Sequence, residues 1–118
     1  MNILQRMKPL LSSLREKKRY VVFQSVSLES IPFKDINKSI KEHFLSLVGI
    51  KGYAKAGIII LPERWNKSKN MGIIKVNHTS LSDLKMALAS IKSVNGEKAI
   101  MQSIGVSGIL NKTKKFMI

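Results

Sequence analysis

Cysteine is absent from this 118-residue chain. Disulfides, thiolate nucleophiles and cysteine-based zinc sites are thereby excluded. The absence fits a reducing compartment, and a cytoplasmic setting is the expectation. Acidic residues are scarce: Glu16, Glu29, Asp35, Glu42, Glu63, Asp83 and Glu97 are the full set. None stands at a paired or metal-binding spacing, so a two-metal nuclease lacks its usual ligands. His43 and His78 stand alone. His43 lies beside an apolar helical stripe and reads as structural or surface; His78 ends a strand and reads as a surface group or a phosphate contact. There is no G-x-S-x-G elbow and no G-x-x-x-x-G-K-[ST] phosphate loop. Catalysis by this chain alone is therefore not expected, and no cofactor is expected to sit in it. Long hydrophobic runs are missing too. The longest, Ala56 to Leu61, is far short of the ~20 residues of a spanning helix. Arg6, Lys8 and Pro9 interrupt the N-terminus before a signal-peptide core can form. No membrane partner is expected.

What is abundant is positive charge. Lysine and arginine number 21 against 7 acids, a net charge of +14. Such an excess repels itself unless a polyanion offsets it, and nucleic acid is the first candidate. Hydrophobic content of 44% is enough to exclude compositional disorder. The length suits one domain with one modest core.

The pattern along the chain reads as alternating elements. Residues 1–18 form a basic arm in which Ile3, Met7, Leu10 and Leu14 recur at helical spacing. The arm is either a frayed terminus or a segment that orders on RNA, on a protein or on a membrane surface. Arg19 to Ser27, rich in aromatic and β-branched residues, is the first strand. Phe33, Ile36, Ile40, Phe44, Leu47 and Val48 mark a helix from about Pro32 to Val48, ended by Gly49. Tyr53 to Pro62 is the expected second strand and Met71 to His78 the third, joined by the basic loop 63–70. Trp65, in that loop, either stacks on a base or covers the loop. Ser80 and Asp83 resemble a capping box that starts a second helix. Its buried face is Leu84, Ala87, Leu88 and Ile91. Asn95-Gly96 is a turn, Lys98 to Val106 a fourth strand, and Gly108 to Ile118 a basic tail for which a short helix is one reading.

The order β-α-β-β-α-β predicts an α/β, ferredoxin-like or RRM-like domain over residues 19–107. A four-stranded antiparallel sheet carries both helices on one face. Ile58 and Ile60 alternate with Ile59 and Leu61, and Ile74 and Val76 with Met71 and Ile73. Both sheet faces are therefore apolar. Either the termini or a protein partner covers the second face, and the partner is the expectation. Phe23, Ile59, Leu61 and Ile73 are its predicted contacts.

Usual RNA-recognition domains stack bases on aromatics of the first and third strands. The third strand here, Gly72-Ile-Ile-Lys-Val-Asn-His78, has none. Phosphate contacts are the better expectation. The candidates are Arg15, Lys17, Lys18 and Arg19; Arg64, Lys67 and Lys69; Lys75; and Lys112, Lys114 and Lys115.

Leu14-Arg-Glu-Lys-Lys-Arg-Tyr20, Gly72-Ile-Ile-Lys-Val76 and Ile104-Gly-Val-Ser-Gly108 with its basic tail resemble the Pop-five family, archaeal ribonuclease P protein component 2. The resemblance spans roughly residues 12–117. It implies a non-catalytic, RRM-like subunit of the ribonucleoprotein that removes the 5′ leader of precursor tRNA. The implied partners are the ribonuclease P RNA, a TIM-barrel-like protein component 3 in a heterotetramer, and other ribonuclease P proteins. Precursor tRNA is contacted indirectly, and the RNA subunit binds the catalytic magnesium. Lys75 stands where the family commonly has Arg, which loses bidentate phosphate geometry. The alternatives are a general, ribosomal-type RNA-binding protein and a small enzyme or regulatory subunit on the same scaffold.

Overall fold

The computed structural model describes residues 17–117. The expected arm, Arg15 included, lies outside the described residues except for its last two positions. Strands β1 (Lys18–Ser27), β2 (Ile59–Ile60), β3 (Met71–Asn77), β4 (Ser93–Val94) and β5 (Glu97–Ser107) form one antiparallel sheet in the order β2-β3-β1-β5-β4. Helices α1 (Phe33–Ala56) and α2 (Leu81–Ser90) complete the expected β-α-β-β-α-β path. The sheet has five strands rather than four. The extra one is the two-residue β4, which Asn95-Gly96 folds back onto β5. Both turn residues take positive φ, 55° and 85°, as a tight hairpin of that hand requires.

The main core lies between the helices and one sheet face. Val21 and Phe23 of β1, Ile74 and Val76 of β3, and Ala99 and Met101 of β5 meet Ile36, Ile40 and Phe44 of α1. Leu84, Ala87 and Leu88 of α2 close it. Alternation sends Val22, Met71 and Ile73 to the opposite, outer face, where they form a second cluster. Val21, Val22 and Phe23 are all fully buried, so β1 is covered on both sides.

Two expected boundaries move. Gly49 does break the helix, at φ 75°, but the chain then resumes helical geometry to Ala56. Tyr53, expected in a strand, packs on Phe44 with ring centroids 5.9 Å apart. The true C-cap is Gly57, at φ 58°, whose N–H donates to Tyr53 O at 3.3 Å. The expected second strand thus shrinks to Ile59–Ile60, and Pro62 turns the chain away into a 3-10 turn. The capping box at Ser80 does not form either. Ser80 sits at φ −107°, ψ 9°, outside the extended region from which a cap side chain reaches the first-turn amides, and it makes no cap hydrogen bond.

The C-terminal segment takes up the short helix that is one reading of the tail. Residues Leu110–Phe116 form a 3-10 helix on the outer face of the sheet. Three residues per turn place Leu110, Thr113 and Phe116 on one ridge. Leu110 and Phe116, with Met117, pack on Val22, Met71 and Ile73. Thr113 is fully buried, its hydroxyl donating to Leu110 O at 2.5 Å. Phe116 lies so close to Gly105 that a Cβ there would come within 2.4 Å of the ring.

Candidate nucleic-acid interface

Pairing registers fix what each part of the outer face carries. One end holds Lys18 opposite Asn77, then Tyr20 opposite Lys75 and Ser107, with Ile59 beside Lys75. The next row, Val22, Ile73 and Gly105, lies under the C-terminal 3-10 helix. At the far end Gln24 faces Met71 and Gln102, and Val26 faces Ile100. The outer face is therefore basic at one end, covered in the middle and open at the other.

The C-terminal helix adds charge to this surface. Its apolar ridge faces the sheet, which leaves Lys112, Lys114 and Lys115 exposed on its other sides. Lys69 Nζ donates to Met117 O at 3.1 Å and so ties the β2–β3 loop to the segment's end. Gln24 Nε2 donates to Lys69 O at 3.1 Å and holds the same loop to β1. Arg19 Nη1 donates to Lys18 O at 3.0 Å and runs beside Gly108, where the segment begins. Lys18 Nζ bonds the Asn77 side chain, whose amide donates to Lys55 O at 2.5 Å.

The elements that carry most of this charge hold no acid, and Glu63 and Glu97 stand in the turn after β2 and at the start of β5. β1, β3 and the C-terminal helix contain Lys18, Arg19, Lys75, Lys112, Lys114 and Lys115 and no Asp or Glu. Asp35 and Glu42 lie on α1 and Asp83 on α2. Among the described residues one ion pair forms, Lys38 with Glu42 at 4.0 Å, and it is on α1. The outer face thus presents cations unneutralised by the fold, as a phosphate-binding surface does.

Of the predicted contacts, Lys18, Lys69, Lys75, Lys112, Lys114 and Lys115 come together around the outer face, whereas Arg19, opposite Val76, alternates to the helix side and lies beside Gly108 at the end of the strand. Lys17 is exposed just before β1, its carbonyl accepting the His78 N–H at 2.8 Å. Lys67 borders a different depression, of about 370 Å³, with Phe33 and Trp65. Arg64 is half-buried in the turn after β2. Trp65 is a packing residue: its ring centroid stands 5.0 Å from that of Phe33 and 6.1 Å from that of Phe23. It also touches the backbone at Gly72, where a Cβ would come within 2.9 Å of the indole. Asn66 shapes the loop beyond it, its Oδ1 accepting from the N–H groups of Ser68 and Lys69.

The predicted protein contacts divide. Phe23 faces the helices and Ile73 lies beneath the C-terminal segment, both without exposed surface. The chain's own tail, rather than a partner, covers the middle of the outer face. Leu61 is half-buried against that cluster, and Ile59 remains 51% exposed on the edge strand. The termini are the less favoured of the two covers that the apolar face calls for, and the structure gives the cover to the C-terminal one. The signal for that role is the three-residue spacing of Leu110, Thr113 and Phe116, with Gly105 left bare to receive the ring.

Base stacking on this sheet is restricted. Phe23 points inward, β3 has no aromatic, and Phe116 occupies the centre. Tyr20 is the one aromatic of β1 and β3 left on the outer face. Among the described residues no three His, Cys, Asp or Glu side chains gather to hold a metal ion.

The profile of the Rpp14/Pop5 family matches residues 19–118. The chain belongs to that family. Ribonuclease P protein component 2 of Methanosarcina acetivorans is 38% identical over 112 residues, covering 94% of this chain and 82% of that protein. The protein of the same name from Thermococcus gammatolerans is 34% identical over 103 residues, covering 87% and 84%. A chain in the cryo-EM structure of yeast ribonuclease MRP shares the fold, with a TM-score of 0.62 at 15% identity. The superposition covers 87% of this chain and 90% of that one. The fold is therefore shared by sequences that have diverged widely.

Proposed function

We propose that the chain is a protein subunit of ribonuclease P, of the component 2 type. It contributes no catalytic group and binds the RNA subunit through the basic outer face. The observation that carries this reading is the coincidence of family membership with that unneutralised surface on β1, β3 and the C-terminal helix. Phosphates are held by Lys18, Lys69, Lys75, Lys112, Lys114 and Lys115 on that face, with Arg19 at the adjoining end of β1. Precursor tRNA is reached through the RNA subunit, which holds the catalytic magnesium. A TIM-barrel-like component 3 is the proposed protein partner, and the site of action is the cytoplasm.

The test is binding selectivity. At matched salt, the chain should bind the ribonuclease P RNA of its own organism more tightly than ribosomal RNA of similar length. Equal affinity for both would favour a general RNA-binding protein on the same fold.

A further inference from the structure

Strand β5 has a free edge. β1 pairs with it along one side, from Ser107 to Ala99. On the other side β4 covers only Glu97 and Lys98, with one further bond from Ala99 N–H to Lys92 O at 3.1 Å. That bond shows that the main chain of Ala99 points to the outer edge. Strand alternation then turns the main-chain groups of Met101 and Ser103 the same way. The opposite strand agrees: Ser25, the partner of Met101, gives its N–H to Asn70 O at 2.8 Å, away from β5. A bulge at Ile104 ends the pairable stretch.

Natural edges of this kind are blunted with charge. This one is not. The chain is 24% charged, yet no charged residue occurs from Ala99 through Asn111. Beside the edge lies a depression of about 620 Å³ lined by Val26, Leu28, Ala89, Ile91 and Ile100, with Lys92 and Lys98 at its rim. Leu28 is fully exposed, Ile100 59% and Val26 45% exposed. An uncharged edge is a poor surface for a polyanion, whereas aligned main-chain groups beside an apolar pocket suit strand addition.

We propose that the Ala99–Ser103 edge of β5 is a docking site for an extended strand of a partner protein. That strand pairs with Met101 and Ser103 and seats a bulky aliphatic side chain in the Leu28–Ile100 depression. A carboxylate next to that side chain meets Lys92 and Lys98. The proposal rests on the subunit reading above, because the partner is sought among the other proteins of the particle.

The experiment is amide hydrogen exchange on the full chain, alone, with the ribonuclease P RNA, and in the particle reconstituted with its other proteins. Exchange at Met101 and Ser103 should slow by about tenfold or more, and only when the proteins are present. Leu28→Glu with Ile100→Glu, at exposed side chains, should abolish that slowing and leave RNA binding intact. Unchanged exchange in the particle overturns the proposal. So does slowing with RNA alone, or slowing in the isolated chain as its concentration rises, which would make a second copy the occupant. Precursor cleavage is read on the same samples. Stimulated cleavage without slowing overturns the edge alone, and loss of both overturns the subunit reading with it.

Discussion

Phe116 occupies the space that a side chain at position 105 would need. The ring of the C-terminal helix rests on the bare backbone of Gly105, and Val22 and Ile73 are sealed beneath the same segment. The tail is thus part of the fold as well as a carrier of lysines. Phe116→Ala should destabilise the chain by about 1–3 kcal/mol, less than a fully buried Phe because the ring is half-exposed. Urea denaturation measures this. Gly105→Val should act the same way by displacing the ring, and both variants should bind a hydrophobic dye.

The lysines of the tail have a separate signature. For every phosphate that the tail ceases to neutralise, the salt dependence of RNA binding should flatten by about 0.7–0.9 log units per log salt. Lys112→Ala, Lys114→Ala and Lys115→Ala combined should therefore lower the slope by roughly 2–3. These side chains are exposed, so stability should change little. An unchanged slope would remove the tail from the interface.

Trp65 is the only tryptophan, and its packing on Phe23, Phe33 and Gly72 predicts an emission insensitive to RNA. Fluorescence titration reads it directly. Strong quenching on RNA addition would mean that the ring leaves its packed position to stack on a base. Trp65→Ala should cost about 2–4 kcal/mol of stability by opening the contact with Phe23.

Gly57 closes α1 in the left-handed region. Gly57→Ala should cost about 1–2 kcal/mol, because a Cβ is disfavoured at that φ. Thermal unfolding at neutral pH checks it, and the RNA salt slope should stay as it was.

The same glycine shows where sequence patterns stop being sufficient. The stripes Ile36/Ile40/Phe44 and Leu84/Ala87/Leu88 are periodic enough to assign the helices, their buried faces and the topology from the chain alone, whereas the run Val21–Phe23 marks a strand without saying which face Phe23 takes. Gly49 and Gly57 are both plausible helix ends by composition. Only the packing of Tyr53 on Phe44 decides that the chain resumes its helix between them. The tail is opaque for a related reason. A run with Lys112, Lys114 and Lys115 has no helical or strand period, and its order comes from a three-residue repeat matched to a bare glycine on a distant strand. The basic residues themselves are legible, because charge is read without geometry. Their grouping on one face is not, since it depends on Lys69 reaching Met117 and on the C-terminal helix lying over Val22 and Ile73.

The most direct test is precursor tRNA cleavage by the cognate catalytic RNA at low magnesium, with the other protein subunits present. The chain should raise the rate, and a variant with Lys75, Lys112, Lys114 and Lys115 all changed to Ala should fold yet lose most of that gain. A chain that binds RNA but leaves the rate unchanged would contradict the subunit reading. A fully active quadruple variant would contradict the assignment of RNA binding to the outer face.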